Sequence, residues 1–196
     1  RDVRKEIMYI KNELLPLLQG NWQRGGITSR TNNDLITIKR KNIPLDKAIK
    51  KGSIVIQRHS MKIKGKEYCK WIDDNYLLVG KAYFYKGEFD EAIKTFNYIK
   101  ETYKRNPLKY DAALWLARCF SEKEDYVAAE MELDQLQTDR KFPEKLEDDL
   151  ATILADFYLK QENYILALDE LNIAIKRIKK RKKKTRFYFI LAQLNQ

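Results

Sequence analysis

Three alanines, Ala92, Ala129 and Ala167, recur at intervals of 37 and 38 residues, and each is framed in the same way. Three positions before each stands an aromatic: Phe89, Tyr126 and Tyr164. Four positions after comes a large apolar residue: Phe96, Leu133 and Leu171. Twelve before lies a small residue (Gly80, Ala117, Ala155), and nine before another aromatic (Tyr83, Phe120, Tyr158). Such a period constrains the fold severely. Each unit is long enough for two helices, and its small residues sit where one helix must approach the other closely. Gly80 is expected to face Ala92, with Phe96 filling the space that the small residues leave. Lys86-Gly87-Glu88 is the expected chain reversal, and Glu124 and Glu162 replace its glycine in the later units.

Small, aromatic, aromatic, small, large apolar at a spacing of 34 to 40 residues resembles the tetratricopeptide (TPR) signature. The expected fold is all-α: a right-handed superhelical TPR solenoid of antiparallel helix pairs, with a helical N-terminal region and one long loop. Residues 1–66 form the N-terminal region, and 67–196 form the array. The repeats fall at about 68–103, 108–138 and 144–180, the second and third preceded by Pro107 and Pro143. A truncated fourth begins at 186, where Ala192 takes the small-residue position. Phe187, Phe189 and Ile190 do not make the polar outer face of a terminal repeat, so more repeats are expected after Gln196.

The N-terminal region opens with Val3, Ile7, Ile10 and Leu14 at helical spacing, stopped by Pro16. Residues 19–43 lack periodicity and contain Gly25-Gly26 and Asn32-Asn33, with Pro44 just beyond. They read as a long connection that packs down through Trp22 and carries a short extended piece at Leu35, Ile36 and Ile38. A connection of that length is expected to bind a partner. A second helix is expected from Asp46 to about His59, with Ala48, Ile49, Ile54, Val55 and Ile56 on its apolar side. Ser60 to Gly65 is the connector to the array.

Charge is concentrated. The chain carries +11, yet Lys176 to Arg186 alone holds nine Lys and Arg residues and no acid. Without it the remaining 185 residues carry only +2. The core of this tract is Lys179, Lys180, Arg181, Lys182, Lys183 and Lys184. No aromatic interrupts it to stack on bases, so a solvated repeat junction or docking on an acidic partner is preferred to nucleic-acid binding. A TPR adaptor that binds nucleic acid or an anionic surface through this tract is the alternative reading.

Catalytic chemistry is not expected. The sequence has no nucleophile elbow, no phosphate-binding glycine loop and no Cys-x-x-Cys. Its single histidine, His59, excludes a site built on two imidazoles and reads as a helix C-terminal cap. Cys119 reads as a buried small apolar residue. Asp73-Asp74 and Glu147-Asp148-Asp149 read as acids favoured at helix N-termini. No cofactor or metal is implied.

The first helices of the repeats supply the expected concave face, through Lys81, Phe84, Tyr85, Leu114 and Arg118. With Trp22, these are the candidate partner contacts, since aromatic and Arg anchors dominate interfaces. Two cations with no asparagine clamp argue against a grip on a C-terminal carboxylate.

Several strings carry a narrower resemblance. They are Asn12-Glu13-Leu14-Leu15-Pro16-Leu17, Ile56-Gln57-Arg58-His59-Ser60-Met61, Gly65-Lys66-Glu67-Tyr68 and Trp71-Ile72-Asp73-Asp74. Gly80-Lys81-Ala82-Tyr83-Phe84-Tyr85-Lys86, Leu114-Trp115-Leu116-Ala117-Arg118 and Phe189-Ile190-Leu191-Ala192-Gln193-Leu194 continue the set. Together they resemble the TPR-containing periplasmic lipoprotein of the Bacteroidetes type IX secretion and gliding-motility apparatus. That resemblance implies a protein–protein scaffold at the periplasmic face of the outer membrane. Its lipid anchor would lie outside this sequence. Its partners would be the secretion translocon and the ring of other motility lipoproteins.

Overall fold

The computed structural model describes residues 32–64 and 66–177 and, beyond them, positions 184, 185, 187, 188 and 191. The described chain is helical apart from one two-residue ladder, and within each compact unit neighbouring helices pack on one another. It divides into two compact units, Arg1–Lys104 and Arg105–Gln196.

The first unit holds α1 (Asn32–His59), α2 (Ile72–Lys86) and α3 (Phe89–Thr102). Helix α1 corrects the expectation of a loop over 19–43, because residues 32–43 are helical and Pro44 lies inside the helix. Residues 19–31 lie outside the described residues. A proline in a helix interior removes one N–H bond to the carbonyl four residues back. That loss is outweighed where tertiary packing rewards the helix. Leu45, Ala48, Gly52 and Val55 supply that packing, all buried at spacings of three, four and three. Leu45 and Ala48 meet Leu78 and Ala82 of α2 in one apolar cluster. Further along, a Cβ on Gly52 would lie 2.4 Å from the Val79 side chain, so the crossing of α1 and α2 requires glycine there. Beside it the Asn75 side chain, fully buried, donates to the Gly52 carbonyl at 2.7 Å. Because α1 packs on α2, the boundary read at residue 66 falls inside this unit.

The expected connector 60–65 contains structure. Strands β1 (Lys62–Ile63) and β2 (Lys66–Glu67) pair antiparallel, Lys62 opposite Glu67 and Ile63 opposite Lys66. The Glu67 carboxylate gathers this corner, accepting from the Ser60 hydroxyl at 2.6 Å and from the Met61 and Cys69 N–H groups at 2.9 Å. Lys62 donates to the Tyr98 hydroxyl, which ties the ladder to α3.

Helices α2 and α3 form the first hairpin. In the second unit, α4 (Leu108–Glu122) and α5 (Tyr126–Thr138) form another. A third consists of α6 (Glu147–Lys160), entered through a 3-10 turn at Glu144–Leu146, and α7 (Tyr164–Arg177). All three use the same reversal. Gly87, Glu124 and Glu162 occupy equivalent positions with φ of 85°, 61° and 59°. The next residue donates five residues back each time: Glu88 to Tyr83, Asp125 to Phe120 and Asn163 to Tyr158, at 2.9–3.0 Å. This is a Schellman C-cap. The same residue then opens the following helix, its carbonyl accepting from Ala92, Ala129 or Ala167. The recurring alanine is thus the first residue bonded into each second helix.

The small and large positions are buried in every hairpin. Gly80, Ala92 and Phe96, then Ala117, Ala129 and Leu133, then Ala155, Ala167 and Leu171 all lie in the core. Size is matched across the crossing. Phe accompanies Gly in the first hairpin, and Leu accompanies Ala in the other two. A Cβ on Gly80 would come within 2.6 Å of the Phe96 ring.

Left-handed backbone costs an L-residue about 1–2 kcal/mol, which Gly87 avoids and Glu124 and Glu162 do not. Glu124→Gly is therefore expected to stabilise the protein. The gain is about 1 kcal/mol or less, because glycine loses more entropy on folding. Gly87→Glu is expected to do the reverse. Urea unfolding of the two variants beside the parent checks both signs.

Within the second unit, α4 packs on both α5 and α6, and α6 on α7. Tyr110, Leu114, Ala117, Leu133, Leu150, Leu154 and Phe157 share its main apolar cluster. Lys160 of α6 bridges to Glu122 of α4 at 2.7 Å, and the Tyr126 hydroxyl donates to the Lys160 carbonyl. Helix starts follow local chemistry. Asn106 accepts from the Leu108 N–H ahead of α4, Asp125 from Ala128 ahead of α5. Asp73 and Asp74, and Glu147 to Asp149, lie in the first turns of α2 and α6, where the dipole favours acids.

Candidate interaction surfaces

The expected concave-face contacts separate into two kinds. Phe84 and Leu114 are 1% and 3% exposed, which removes both from the set of partner contacts. Phe84 meets Tyr85 and Phe89 edge-on, with ring centroids 5.6 and 5.5 Å apart. Leu114 belongs to the core between α4 and its neighbours. Sequence reasoning placed them on the face because helical period marks a side, and a side packed by another helix has the same period.

Lys81, Tyr85 and Arg118 are half-buried. Tyr85 packs against the α1–α2 cluster. Arg118 stacks on the Trp115 ring 4.4 Å away, one turn earlier on α4. Lys81 and Tyr85 lie in the first unit and Arg118 in the second. Trp22 lies outside the described residues, as do Lys179, Lys180, Arg181, Lys182 and Lys183. Lys184 is helical and half-buried. His59 is the last residue of α1.

Cys119 is fully buried, and burial pushes its thiol up to about 12. Cys69 is half-buried. Thiolate is the reactive form, so Cys119 is expected to resist iodoacetamide in the native protein and to react only after denaturant is added. Peptide mapping of the alkylated chain checks this against Cys69.

A surface not foreseen from the repeats lies in the second unit. A cleft of about 390 Å³ is lined by Leu150, Ala151 and Leu154 of α6, by the end of α5 and the loop after it, and by the middle of α7. Asp139 stands at one side, accepting from the Tyr110 hydroxyl at 2.9 Å and from the Lys141 N–H at 2.8 Å. The Lys141 N–H, then the Tyr110 hydroxyl, hold its carboxyl below the usual carboxylate range. Glu147, Glu170 and Arg140 add charge to its lining, and Phe142 and Ile173 add apolar area. Tyr158, also on α6, has its phenol pushed up by burial and then by the carboxylates of Glu170, Glu130 and Asp134. The legible signal was charge. Residues 122–170 hold fifteen acids and five bases in a chain of net +11.

Large apolar side chains stand in solvent on the outer helices of this unit. Val127 and Met131 of α5 are 72% and 60% exposed, and Ile165 of α7 is 76% exposed. Among the described residues no helix is long and apolar enough to cross a membrane. Nor, among them, do three or more His, Cys, Asp or Glu side chains group to hold a metal.

No protein-family model matches the sequence, and no curated protein matches it.

Proposed function

We propose that the chain is a TPR-type array acting as a non-enzymatic protein–protein scaffold. The observation that carries the reading is the threefold identity of the hairpins. The same left-handed reversal, the same capping bonds and the same buried small, small and large positions recur at each repeat. Stacked hairpins of this kind present extended surfaces, and their chemistry is recognition. Exposed Val127, Met131 and Ile165 support it, as apolar side chains in solvent that a docked partner would cover.

The system in which it would act follows from the resemblance of the non-repeat strings. On that ground we place it in a type IX secretion and gliding-motility apparatus. There it would link the translocon to the ring lipoproteins, at the periplasmic face of the outer membrane. Cross-linking and affinity purification from the native envelope test the proposal. Recovery of translocon and ring proteins is expected. Recovery of ribosomal or nucleic-acid components instead would favour the adaptor reading through the basic tract, and recovery of nothing above control would sink the scaffold.

A further inference from the structure

We infer that the hairpin around β1 and β2, residues 61–68, is a docking surface for an anionic phospholipid bilayer. This surface lies in the first unit and does not depend on the scaffold reading. Strand alternation divides the hairpin's side chains between two faces. Lys62 and Glu67, opposite each other in the ladder, hold it to the fold. Lys62 donates to the Tyr98 hydroxyl of α3 and lies over its ring, 4.8 Å from the centroid. The Glu67 carboxylate is taken up by the Ser60 hydroxyl and the Met61 and Cys69 N–H groups. Met61 and Ile63 therefore take the other face. The Tyr68 N–H donates to the Met61 carbonyl at 3.0 Å, which continues the ladder and sets Tyr68 opposite Met61. Met61, Ile63 and Tyr68 are each about half exposed. The hairpin thus grips α3 with its polar side and turns its apolar side to solvent.

Charge gives the sign of the occupant. Residues 58–70 hold five cations, Arg58, Lys62, Lys64, Lys66 and Lys70, against one acid, Glu67. Arg58, Lys64 and Lys70 are exposed, and among the described residues none of the three is held in an ion pair. Lysine is a hydrated point charge on a flexible stem, suited to a diffuse field of headgroup phosphates. Its stem can lie along apolar surface while the ammonium stays in water. Shape decides between a bilayer and an acidic protein. Three half-exposed side chains on so short a ladder fall well below the roughly 800 Å² that each partner gives a stable protein interface. A bilayer needs no matched surface. Apolar side chains enter the acyl boundary as far as they reach, and tyrosine is favoured at headgroup level.

The test is flotation of the full chain with vesicles of phosphatidylcholine, alone or with about one third phosphatidylglycerol. The basic tract would also bind anionic vesicles through charge. Each measurement is therefore repeated with Lys179→Gln, Lys180→Gln, Lys182→Gln and Lys183→Gln together in the same chain. Binding to the anionic vesicles is expected in both backgrounds, weaker on neutral vesicles and weaker as salt rises. Met61→Ser with Ile63→Ser is expected to raise the lipid concentration at half-binding by about tenfold or more. Ile63→Trp is expected to keep or strengthen binding, because tryptophan is favoured at the interface. Circular dichroism checks folding. If the serine pair perturbs it, Lys64→Glu with Lys70→Glu takes its place with the same expected loss. Equal binding by the serine pair and the parent overturns the proposal, since charge alone would then account for binding. Absence of binding once the tract is neutralised also overturns it. Sedimentation velocity and capture from detergent-solubilised envelope test the protein alternatives. Self-association, or retention of an acidic protein, that the serine pair abolishes would make a protein the occupant and overturn the proposal.

Discussion

Gly80→Ala is expected to destabilise the protein, and Phe96→Leu in the same chain is expected to restore most of the loss. The added methyl would stand 2.6 to 3.0 Å from three carbons of the Phe96 ring, inside van der Waals contact. Both residues are buried, so neither can swing into solvent. Alanine is favoured over glycine in a helix by about 1 kcal/mol, and overpacking a core costs about 1–3 kcal/mol. The net expectation is a loss of up to about 2 kcal/mol. Phe96→Leu alone leaves a cavity beside a glycine and costs about 1–2 kcal/mol. The two together reproduce the Ala–Leu pairing that Ala117 with Leu133, and Ala155 with Leu171, already use in the core. The double variant should therefore be more stable than either single one, a coupling of about 2 kcal/mol. Urea unfolding of the four proteins measures it. Strict additivity would mean that the two positions do not share the helix crossing.

Much of this was legible in the sequence because packing and period coincide. Ala92, Ala129 and Ala167 recur because each is the first alanine bonded into a second helix and each lies against a first helix. Steric need and backbone geometry therefore select the same position. The turns were legible only at Gly87. Glu124 and Glu162 hold the same left-handed conformation, but glutamate carries no local sign of it. Helix α1 was missed over residues 32–43 because Pro44 and a weak run of β-branched residues signal a break. Its stability comes from contacts with α2 that no local window contains. The site was less legible for a related reason. Phe84 and Leu114 have the right chemistry for anchors, and only burial reveals that they already anchor the fold. The groove in the second unit is assembled from α5, α6 and α7. Along the chain its carboxylates read as separate helix-surface acids.

Asn75→Asp is expected to cost about 3 kcal/mol or more at neutral pH, whereas Asn75→Leu costs about 1 kcal/mol or less. Asn75 is fully buried at the crossing of α1 and α2, its amide nitrogen donating to the Gly52 carbonyl at 2.7 Å and its Oδ1 without a hydrogen-bond partner. Leucine removes the bond but also removes the orphaned oxygen. The Gly52 carbonyl, lying inside a helix, keeps its intrahelical donor. Aspartate removes the donor, turns two acceptor oxygens toward a carbonyl and adds a charge at a fully buried position. Burial should then raise the folded-state carboxyl above its unfolded value of about 3.9. A raised carboxyl means that the folded state binds the extra proton between those two values. The penalty is therefore smallest below the unfolded value and grows as pH rises toward the folded one. The gap between the Asp variant and the parent should narrow as urea unfolding is moved from pH 7 down toward pH 4.5, while the Leu variant should track the parent at both. A pH-independent gap for the aspartate would mean that the side chain escapes to solvent. The α1–α2 crossing would then be looser than the contact of Gly52 with Val79 and Asn75 requires.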